Sequence, residues 1–170
     1  MAISVYLRVS GNIHQMIRRT MILIAGILST ACMAAANDWH AYIRLVEQAD
    51  GKTLQALPQE INRIGDTLDD RQTEALTTAL SRALIKDPVA VITATRALDH
   101  NADPLKQRFG SSFICAIPGM THFTQQQIEA YFARAEPALK RAGPEAAGCL
   151  GTLQEVIEEV RQEIAQHPAR

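Results

Sequence analysis

The 170-residue chain is 47% hydrophobic and 21% charged with a formal net charge of −1, which excludes a disordered or fibrous protein. The charge is unevenly split: residues 1–36 hold Arg8, Arg18 and Arg19 and no acid, whereas the remainder holds 14 basic and 18 acidic residues. An acidic body argues against nucleic-acid binding, which leaves a basic footprint, and against adhesion to an anionic membrane.

Thr20 to Ala36 is a run of 17 uncharged residues rich in Ile, Leu, Met and Ala, preceded by Arg18 and Arg19 and closed by Ala34-Ala35-Ala36. A positive start, a short apolar centre and small residues at the end are the parts of a secretory signal. The run falls short of the ~20 residues that a spanning helix needs. Residues 1–36 therefore read as an export signal, with Met16 offering a tidier start than Met1, and residues 37–170 as one helical domain. The mature chain is expected in the periplasm or secreted, without stable membrane insertion. A lipid anchor through Cys32 is the lesser alternative: Ala31 suits position −1 of a lipoprotein signal, but Ser29 does not suit −3.

From Asp38 onward the apolar spacing is helical. Trp39, Tyr42, Ile43 and Val46 share one face of a first helix, with Gly51 as its expected stop. Leu54, Leu57, Ile61, Ile64 and Leu68 mark a second, with Pro58 expected in or before its first turn. Asp69 or Asp70 opens a third, whose inward face is Leu76, Leu80, Ala83 and Leu84. Asp87-Pro88 gives the cap-plus-first-position signature of a fourth, and Asp103-Pro104 repeats it for a short turn ended near Gly110.

Residues 110–123 are apolar and broken by Pro118-Gly119, and read as a partly buried connector tied down at Cys115. Thr124 and Gln127 form a capping box for a helix that Pro137 is expected to kink or break. Leu150, Leu153, Ile157, Val160 and Ile164 define the last helix. No segment of residues 37–170 alternates like a strand, so the expected fold is all-α with six or seven helices.

Cys115 and Cys149 are the two cysteines left after the signal, and in an oxidising compartment they are expected to pair. Closing a loop of 34 positions restricts the unfolded chain by roughly 4 kcal/mol in the entropic model. No Cys-x-x-Cys, zinc pattern, phosphate-cradling glycine loop or Gly-x-Ser-x-Gly elbow is present, so no cofactor, metal or catalytic residue is expected. Asp99-x-Asn101-x-Asp103 matches the start of a calcium loop. Pro104 then stands where the loop requires glycine, and Gly110 where it requires glutamate.

The reading that remains is a binding protein, acting on a protein partner as inhibitors and immunity proteins do. Its surface is expected at Glu155, Glu158, Glu159 and Glu163 of the last helix, together with His122 and Phe123, and the last helix also suits a homodimer seam. The alternatives are a small-ligand or lipid carrier roofed by residues 110–123 and, below it, a hydrolase built around His100 and His122.

Overall fold

Side chains that accept from the first free N–H groups of a helix set most of the element boundaries. The structure, a computed structural model, describes residues 38–116 and 123–166. The chain divides between Ala41 and Tyr42, and the unit considered below is Tyr42–Arg170. Residues 1–36, read above as an export signal, and His122 lie outside the described residues.

A first helix, α1, covers residues 38–47. It is followed by α2 (Gly51–Ile64), α3 (Asp70–Lys86), α4 (Pro88–Arg96) and the single turns α5 (Pro104–Gln107) and α6 (Ser111–Cys115). The long α7 (Gln125–Ala142) leads through a 3-10 turn (Gly143–Ala146) into α8 (Ala147–Gln166). No strand occurs among the described residues, and the fold is all-α as expected.

Asp50 caps α2 by accepting from Thr53 N at 2.9 Å, and Asp87 caps α4 through Ala90 N at 3.0 Å. Asp69 with Gln72 and Thr124 with Gln127 form complete capping boxes, in which each side chain meets the other's backbone N–H. Asp103 caps α5 through Leu105 N.

Three expectations about breakers are corrected. Gly51 does not stop α1; it is the first residue of α2. The stop is Ala49, whose φ of 59° closes the helix with Ala49 N–H on Val46 O and Asp50 N–H on Leu45 O. Alanine pays about 1–2 kcal/mol for that left-handed backbone. The position is fixed because Asp50 must follow at once as the next cap.

Pro58 is not at the start of α2 but inside it, and Pro137 lies inside an unbroken α7. An interior proline costs about 3 kcal/mol. Leu54, Leu57 and Ile61 flank Pro58 and are essentially fully buried. At about 1.5–3 kcal/mol each, their burial outweighs the break. Ala135, Ala138 and Leu139 hold α7 through Pro137 in the same way.

At the centre lies α4, which packs on α2, α3, α6, α7 and the 3-10 turn. Its sequence suits that place, since Val91, Ile92, Ala94 and Thr95 are all buried and leave little polar surface. Thr95 is fully buried yet satisfied, its hydroxyl donating to Val91 O at 2.8 Å. Around α4 run α3 against α7 and α7 against α8, with α6 wedged between α4 and α8.

Candidate functional site

The first cluster surrounds the cysteines. Residues 111–115, expected as part of a partly buried connector tied down at Cys115, form the helical turn α6, which presents Cys115 to Cys149 on α8. The two form a disulfide with their Cα atoms 5.2 Å apart, and both are buried. No side chain of its own N-cap, Gly110, holds α6. Asp99 does so from twelve or more residues away: Ser111 Oγ donates to its Oδ2 at 2.6 Å, and Ser112 N and Oγ donate to its Oδ1 at 3.0 and 3.2 Å.

The same contact explains Gly110. Any Cβ there would stand 2.5 Å from Asp99 Oδ1 and 3.0 Å from Gln107 O. The Asp99-Asn101-Asp103 run is thus fully occupied with protein groups. Asn101 accepts from Asp103 N and donates to Asn62, and Asp103 caps α5. Among the described residues no three His, Cys, Asp or Glu side chains gather as a metal site.

Asp99→Ala removes three hydrogen bonds at once and leaves Ser111 and Ser112 to water or to nothing. The expected loss is about 2 kcal/mol, read as a lower urea midpoint with unchanged slope. A loss below about 0.5 kcal/mol would mean that the disulfide alone positions α6.

The second cluster is the outer face of α8. Glu155, Glu158, Glu159 and Glu163 are all exposed, on the side opposite the buried Cys149, Leu153 and Ile157. None of the four lies in an ion pair among the described residues. The nearby arginine, Arg161, is committed to Glu129 on α7 at 2.9 Å. That hydrogen bond holds the Glu129 carboxyl below the usual range and ties the outer ends of α7 and α8 together.

A third feature was not expected from sequence. Between α3 and α7 lies a groove of about 220 Å³, with Phe123 at one side and Ile85 and Ala130 as apolar wall. Its polar lining includes Ser81 and Arg82 from α3 and Tyr131 and Arg134 from α7. Phe123, expected as part of the binding surface, is half-buried at one side of this groove. The signal was present in each helix separately. Thr78, Arg82 and Ile85 follow the i, i+4, i+7 rule, as do Gln127, Tyr131 and Arg134, but spacing along a chain does not say which two faces meet.

A recess of about 260 Å³ lies beside the disulfide and is lined by Arg96, Ser111, Ser112 and Thr152. Both spaces are smaller than the ~300–1,000 Å³ usual for drug-sized ligands. His100 is exposed.

No family model, no curated protein and no solved structure matches this chain. The functional reading therefore rests on the residues themselves. Among the described residues no helix is long and apolar enough to cross a membrane. The buried disulfide is compatible with an exported protein.

Proposed function

We propose that this is an exported, periplasmic protein that acts by binding a protein partner, as an inhibitor or immunity-type protein does. The observation that carries the reading is the outer face of α8, where four exposed glutamates stand without an ion pair among the described residues, on a helix fixed by the disulfide and by α7. Internally unneutralised charge on a rigid element is suited to meet a basic surface. Its main contributions are faster encounter and rejection of acidic competitors.

The test is capture of a partner from periplasmic extract by the wild-type chain and by the variant Glu155→Lys/Glu159→Lys/Glu163→Lys. These side chains are exposed, so the variant is expected to keep its fold. The wild type is expected to retain a basic protein at about 0.15 M salt, with association by the variant slowed roughly 10- to 100-fold. Retention of no protein, or of the same protein equally by both chains, would overturn the reading.

A further inference from the structure

We draw no further inference here: the strongest candidate, the recess beside the Cys115–Cys149 bridge between α4, α6 and α8, carries nothing because its Ser111, Ser112 and Thr152 hydroxyls already donate within the protein and nothing in the structure shows what covers it.

Discussion

Reduction of the Cys115–Cys149 bridge is expected to lower stability by about 4 kcal/mol, the cost of freeing a 34-position loop in the unfolded chain. For a domain of this size that corresponds to roughly 15 °C in Tm. Local structure makes the site sensitive as well. Ser111–Cys115 is five residues long and far below the length at which a helix stands alone. Without the bridge it depends on the Asp99 cap and on the buried Ile114. Urea unfolding with and without reductant measures the global term, and the Cys115→Ala/Cys149→Ala variant gives the same quantity without reductant. Amide exchange at Ser112 to Ala116 is expected to accelerate more than exchange in α4. A loss under about 1 kcal/mol would show that α6 is held by packing and its cap, with the bridge contributing little.

The second large effect is expected on the alkaline side. Burial, reinforced by Glu60, pushes the Tyr42 pKa up to about 12, and burial pushes Tyr131 higher still. Unfolded tyrosine ionises near 10. Between those values the unfolded chain gives up phenolic protons that the folded chain keeps, so ionisation favours unfolding. The stabilising contribution is complete below pH 10 and is lost as pH rises toward the folded values. A fully shielded tyrosine gives a slope of about 1.4 kcal/mol per pH unit. Tyr131 is expected to approach that figure, and Tyr42, which is only half-buried, to give less. Phenolate absorbance and helical circular dichroism are expected to change together above pH 10. In Tyr131→Phe the alkaline limb is expected to be shallower. Phenolate appearing well before the helix signal falls would contradict the burial argument.

Much of the architecture was legible because helix starts are local events. Asp69-x-x-Gln72, Asp87-Pro88, Asp103-Pro104 and Thr124-x-x-Gln127 each contain the donor and acceptor that they need within four residues. The cysteine pair was legible for another reason, since only two cysteines follow the expected signal. What failed was the reading of the breakers: Gly51 as a stop, Pro58 in or before a first turn, and a break at Pro137. Ala49 takes the left-handed position that Gly51 seemed made for, and Pro58 and Pro137 are carried by tertiary packing that no local rule contains. The α6 turn was missed because its cap, Asp99, comes from another segment. The groove was missed for the same reason: Tyr131 at helical core spacing reads as core, and only the approach of α3 turns its edge into a lining.

The Asp99 cap bears on how the bridge is made. Asp99 fixes the register of Ser111 and Ser112 through hydrogen bonds that require no sulfur chemistry, and Gly110 leaves it the room to do so. The turn that follows delivers Cys115 to the Cys149 helix. The Asp99 cap therefore favours the register in which Cys115 meets Cys149. Closing the bridge removes two electrons from the thiol pair, so maturation calls for an electron acceptor.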